Sequence, residues 1–174
     1  MNEIVSGAIE LLFFAVFFAT AWQYLRRRDP LSLDLMLVFA SVAGLYVVTF
    51  VGSIVGELPV WLTVAAVVSL LAQPLLILRV CVRTGVARPR TWWVAAVVFF
   101  VSLVPIIVLR PLAAWMAVPP LLVAVVIEAL AASLLGRSGL QRSGAARARL
   151  LIAAGACALF ALALTALGLG STLG

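Results

Sequence analysis

Chemistry in this chain has to be done by very few side chains. Its carboxylates are Glu3, Glu10, Asp29, Asp34, Glu57 and Glu128, its 12 basic residues are all arginine, and histidine and lysine are absent. No serine-histidine triad, histidine-ligated metal site, phospho-accepting histidine or lysine Schiff base can therefore be built, which also removes a retinal pigment. No GxxxxGK[ST] or GxGxxG loop is present to cradle a phosphate. The chain reads as non-enzymatic, with no metal and no cofactor expected.

Glu128 is the first candidate, because it stands deep within an apolar run. An ionisable group in hydrocarbon costs roughly 2.5 to 3.5 kcal/mol on insertion scales, so it needs a reason to be there. Two readings are open. Glu128 either binds a proton or ligand inside a helix bundle, below a helix break expected at Pro119 and Pro120, or ties helices together, with Arg79 as a partner. Glu10 shares a helical stripe with Gly7, Phe14, Phe17 and Ala21, so it either lines an outer cavity or reaches surface water. Gln73 beside Pro74 offers a polar group and a freed carbonyl, as discontinuous transporter helices do, or accompanies an ordinary kink. Asp34 is explained by the positive end of its own helix and the arginines nearby. Cys81 and Cys157 stand in no paired motif and read as small membrane residues.

The elements that hold these groups follow from composition. The 174 residues are 66% hydrophobic and 10% charged, with mean hydropathy +1.29, where a soluble domain has about 25% charged residues. The expected fold is all-α: a single integral membrane bundle of six transmembrane helices. The apolar runs cover about 4–25, 30–55, 60–80, 91–109, 112–135 and 150–169. Each is long enough to cross roughly 30 Å of hydrocarbon at about 1.5 Å per residue. Asp29 followed by Pro30 signals a helix start. Ala40, Gly44, Val48, Gly52 and Gly56 recur every four residues and predict a ridge for close helix packing. Arg110 and Pro111 predict a tight turn, and GRSGLQRSGAARAR, residues 136–149, predicts a loop. The N-terminus has no positive charge before its apolar run and is unlike a cleavable signal.

The arginines orient the bundle. Arg26, Arg27 and Arg28 follow the first span, Arg79, Arg83, Arg88 and Arg90 surround the end of the third, and Arg137, Arg142, Arg147 and Arg149 follow the fifth. Eleven of the twelve thus fall on one side, with Arg110 alone on the other. The positive-inside rule makes that side cytoplasmic, with both termini outside. Arg26, Arg27, Arg28, Arg83, Arg88, Arg90, Arg137 and Arg142 are expected to contact anionic lipid headgroups or a cytoplasmic partner, and nucleic acid is not expected.

The stretch WQYLRRRDPLSLDL at residues 22–35, with tight apolar helices and a later arginine loop followed by tryptophans, resembles the polytopic N-terminal input region of bacterial sensor histidine kinases. That resemblance implies seven helices, with the N-terminus outside, leading into a cytoplasmic signalling module; a homodimer is the other partner expected. On that reading Gly174 stops short of the seventh helix. The function expected is a non-catalytic, membrane-embedded sensory domain. The alternative is a small secondary transporter with a 3+3 inverted repeat.

Overall fold

The computed structural model describes the backbone of residues 2–108 and 114–173, and the side chains of residues 7, 10–106 and 116–166. These residues form six α-helices and no strand: α1 Asn2–Arg27, α2 Pro30–Val55, α3 Val60–Arg83, α4 Pro89–Val108, α5 Val118–Leu140 and α6 Gly144–Leu173. A single 3₁₀ turn, Ala114–Ala117, precedes α5.

Helices α2 to α6 each hold a stretch long and apolar enough to cross a bilayer, with mean hydropathy between 1.5 and 2.2. Only 17 to 33% of those stretches is buried inside the protein. Their outer faces carry Phe100, Leu122, Val126, Ile152 and Leu159, all strongly exposed. Apolar surface on that scale is tolerated only where the surroundings are themselves apolar, and helices suit such surroundings because they satisfy their own backbone polar groups. This is a multi-pass membrane protein.

The chain divides into two compact units, residues 1–76 and 77–174. In the first, α1 and α2 form a hairpin closed by Arg28 and Asp29. Arg28 adopts φ +51°, and its N–H donates to the Tyr24 carbonyl at 2.7 Å, which ends α1 in the left-handed manner usual at helix C-termini. Asp29 then caps α2, accepting from the Ser32 N–H at 3.3 Å, with Pro30 in the first turn as expected. Phe13 and Tyr46 bring their ring centroids to 5.9 Å across the hairpin.

Hydrogen bonding from the Ser32 side chain, more than that from its backbone, holds the Asp29 carboxyl below its ordinary range. A lowered folded-state value means the cap's contribution is complete above the unfolded-state value, roughly pH 4. It is lost as pH falls through the folded-state value. Asp29→Ala should therefore lower the unfolding temperature in micelles at neutral pH. Asp29→Asn, an equally good cap, should hold it near wild type. A drop of the same size in both variants would show that charge rather than capping matters.

The packing ridge expected on α2 is only partly realised. Leu58 fills the space at Gly52, its Cδ1 lying 2.9 Å from where a Cβ would sit. Gly44, by contrast, is exposed, with no atom within 4 Å of its Cβ position. Ala40, Ser41 and Gly44 instead face Ala65, Ala66 and Ser69 of α3 across an open groove of about 430 Å³. Small residues permit close approach in a membrane but supply no hydrophobic force to compel it.

In the second unit α5 and α6 pack as a tight antiparallel pair joined by residues 141–143. Gly136 faces Ala154 with a would-be Cβ 3.8 Å away. At Gly139 the corresponding space is 3.1 to 3.2 Å from Leu150 and Leu151, so this glycine is where the two helices come closest to excluding a side chain. Two sequence expectations are corrected here. Residues 136–149 are mostly helical, because α5 continues to Leu140 and α6 resumes at Gly144. The fifth helix begins at Val118 rather than near 112, so Pro119 and Pro120 start it instead of breaking it. In a first turn the missing proline N–H would have had no intrahelical acceptor, and the fixed φ suits the helix. The turn expected at Arg110 and Pro111 lies outside the described residues.

Candidate functional site around Glu128

The buried face of α5 consists of Pro120, Ala124, Ile127, Glu128, Ala131, Leu135 and Gly139, a three-and-four spacing that makes one stripe. Ala124, Ala131 and Gly139 keep parts of it small, which lets α6 approach. On α6 the matching buried positions are Cys157, Ala161 and Leu164. Phe99 and Leu103 of α4, and Leu78 and Cys81 at the end of α3, complete the core of this unit.

Glu128 is completely buried, and neither carboxyl oxygen has a hydrogen-bond partner. The Cys157 thiol faces the carboxyl closely enough to interact with it but outside hydrogen-bonding geometry, and the Cys81 thiol lies within electrostatic reach. Both cysteines are free and buried. The pairing considered for Glu128 is not formed: the Arg79 guanidinium lies over the Trp92 ring, 5.8 Å from its centroid. A buried oxygen left without a donor costs about 1 to 3 kcal/mol. Such a carboxyl offers strong acceptor capacity to any donor that reaches it, whether an amine, a hydroxyl or a proton. Among the described residues no three His, Cys, Asp or Glu side chains are grouped to hold a metal ion.

No protein-family model, curated protein or solved structure matches this chain. Its function therefore has to be argued from its own residues.

The other candidates belong elsewhere. Glu10 is half-buried on α1, as are Gly7, Phe14, Phe17 and Ala21 of its stripe, while Leu11, Leu12 and Phe18 are exposed. Gln73 is buried on α3, which runs uninterrupted through Pro74, and its Oε1 has no hydrogen-bond partner. Both lie in the unit of residues 1–76, whereas Pro119, Pro120 and Glu128 lie in that of residues 77–174. Of the proline pair, Pro120 shares the buried face of α5 with Glu128.

Three residues that the sequence explains as ordinary are more deeply buried than it suggests. Cys81 and Cys157, expected as small membrane residues, are buried with their thiols in electrostatic reach of the Glu128 carboxyl, and Asp34 is fully buried in α2. The cysteines carried one weak signal, since Cys157 stands four and seven residues before Ala161 and Leu164 on a single helical face. In a helix apolar all round, that face could not be singled out.

The arginines mark helix ends. Arg26 and Arg27 lie in the last turn of α1, Arg83 in that of α3 and Arg137 in that of α5, while Arg28 and Arg142 lie in turns. Arg88 and Arg90 flank Pro89, where α4 starts. Arg26 sits 4.9 Å over the Trp22 ring, and Trp22, Trp61 and Trp93 are all exposed near helix ends, as amphipathic rings are at a headgroup layer.

Proposed function

We propose that this chain is a non-catalytic, membrane-embedded sensory domain that changes the packing of α5 against α6 when a cue engages Glu128. The observation carrying this reading is the buried Glu128 carboxyl, neither oxygen of which makes a hydrogen bond, on the face that α5 presents to α6. A small donor, or a proton, arriving there would gain a charge-assisted bond and shift the balance between two helix packings. On this reading α1 is a sixth span and the N-terminus is outside the inner membrane. The arginine-bearing turns then face the cytoplasm, where a signalling module or a second copy of the chain receives the change.

Reporter fusions test the topology. A periplasm-dependent alkaline phosphatase placed after Gly174 should be active, and one placed in the turn at Arg28 inactive; the reverse pattern overturns the orientation. Reading the coding sequence past Gly174 tests the function. A further span followed by a signalling module is expected, and a stop codon there would sink the sensory reading. Solute flux in proteoliposomes that disappears with Glu128→Gln would instead assign the site to a transporter.

A further inference from the structure

Between α4 and α5 runs an open groove of about 620 Å³ whose walls are apolar except at one end. Thr91, Val94, Ala95 and Val98 line it from α4, and Leu122, Val123, Val126, Ile127 and Leu130 from α5, each set following the spacing of one helical face. Arg88 and Arg90 close the end where α4 begins. We propose that this groove seats an acyl chain of an anionic phospholipid, with the lipid phosphate held by Arg88 and Arg90.

Three observations converge on that occupant. Two arginines at a helix N-terminus are electrostatically the wrong way round, because that end already carries partial positive charge. Both are exposed, the groove lining contains no acidic residue, and among the described residues neither arginine has a carboxylate partner. An anion is what the arrangement lacks, and guanidinium groups bind phosphate in a forked geometry.

The depth also fits. Trp92 and Trp93, beside the arginines, mark the headgroup layer. From there the lining residues extend along roughly 10 to 12 Å of each helix at about 1.5 Å per residue, most of one leaflet's share of a hydrocarbon core roughly 30 Å thick. The groove walls are partly exposed, with Val94, Val98, Leu122 and Val126 open to the outside, so a lipid can enter laterally from its own leaflet. Inorganic phosphate would leave this apolar length empty.

The test is native mass spectrometry of the full chain, delipidated in detergent and supplied with dioleoyl phosphatidylglycerol or dioleoyl phosphatidylcholine. The anionic lipid should be retained roughly tenfold more strongly, given the attraction of two arginines near a membrane surface. The double substitution R88Q/R90Q should abolish the preference, R88K/R90K should keep part of it, and R147Q/R149Q, at exposed arginines outside the groove, should leave it intact. Val126→Trp, which fills the groove without removing charge, should weaken retention of both lipids. Equal retention of the two lipids by the wild-type chain overturns the proposal. So does a preference that survives R88Q/R90Q, or retention of both lipids left unchanged by Val126→Trp with no change of oligomeric state, which would reduce the site to a surface contact. A change of oligomeric state in Val126→Trp with lipid retention untouched would assign the groove to a second copy. Correct folding of each variant is read from its helical circular dichroism.

Discussion

Glu128→Met should raise the thermal stability of the chain in micelles while removing its response to any cue. Methionine has the length and flexibility to occupy the space of the glutamate, and it brings no oxygen to a place where the carboxyl oxygens make no hydrogen bond. Removing buried oxygens that lack a donor recovers about 1 to 3 kcal/mol, which thermal unfolding can resolve. Glu128→Gln is the control: it keeps an acceptor and adds two donors without creating partners, so it should gain nothing. If Glu128→Met proves less stable than Glu128→Gln, something that meets the carboxyl is being lost. A bound molecule retained through purification would then be the first thing to look for.

The second large effect concerns the contact that makes the α5–α6 pair. Gly139→Leu should destabilise the chain by about 1 to 3 kcal/mol, the usual range for overpacking, because the new side chain would begin 3.1 to 3.2 Å from Leu150 and Leu151. Gly136→Ala should do the opposite. Its Cβ would rest 3.8 Å from the Ala154 methyl, an ordinary contact, and alanine is favoured over glycine in a helix by up to about 1 kcal/mol. Spin labels at the exposed Ser133 and Ile152 would report the helix separation. A widened distance in Gly139→Leu with Gly136→Ala unchanged is expected, and an unchanged distance in Gly139→Leu would show that the pair is held elsewhere.

These two positions illustrate how far the sequence could be read. The apolar runs located the helices well, with α2 found at residues 30–55 as expected. Boundaries failed where a residue type supports two structures. Proline inside an apolar run is compatible with a kink or with a helix start, and only the course of the chain around Pro119 and Pro120 distinguishes them. The glycine, serine and arginine content of residues 136–149 predicts a loop. They are helical because Gly136 and Gly139 let α6 pack against the end of α5, and a contact between two segments leaves no local signature. The same glycine signal misled at Gly44, where the neighbouring helix does not close in.

Burial inside the protein escaped prediction for a related reason. In water the contrast between apolar and polar faces reveals which side of a helix turns inward. In lipid both faces are apolar, so that periodicity fades.

Residue types alone therefore settled that this chain is helical and crosses a membrane. Long apolar runs cannot leave backbone N–H and C=O groups unpaired in hydrocarbon, and the arginines are confined to helix ends and turns by the cost of burying charge. Tertiary packing alone decided which of the few polar groups would meet. It set Glu128 opposite Cys157 without a hydrogen bond and laid Arg79 over Trp92, and it opened an arginine-ended groove between α4 and α5. Those outcomes depend on which faces of neighbouring helices touch, and in hydrocarbon that choice rests on shape complementarity between segments far apart in the chain.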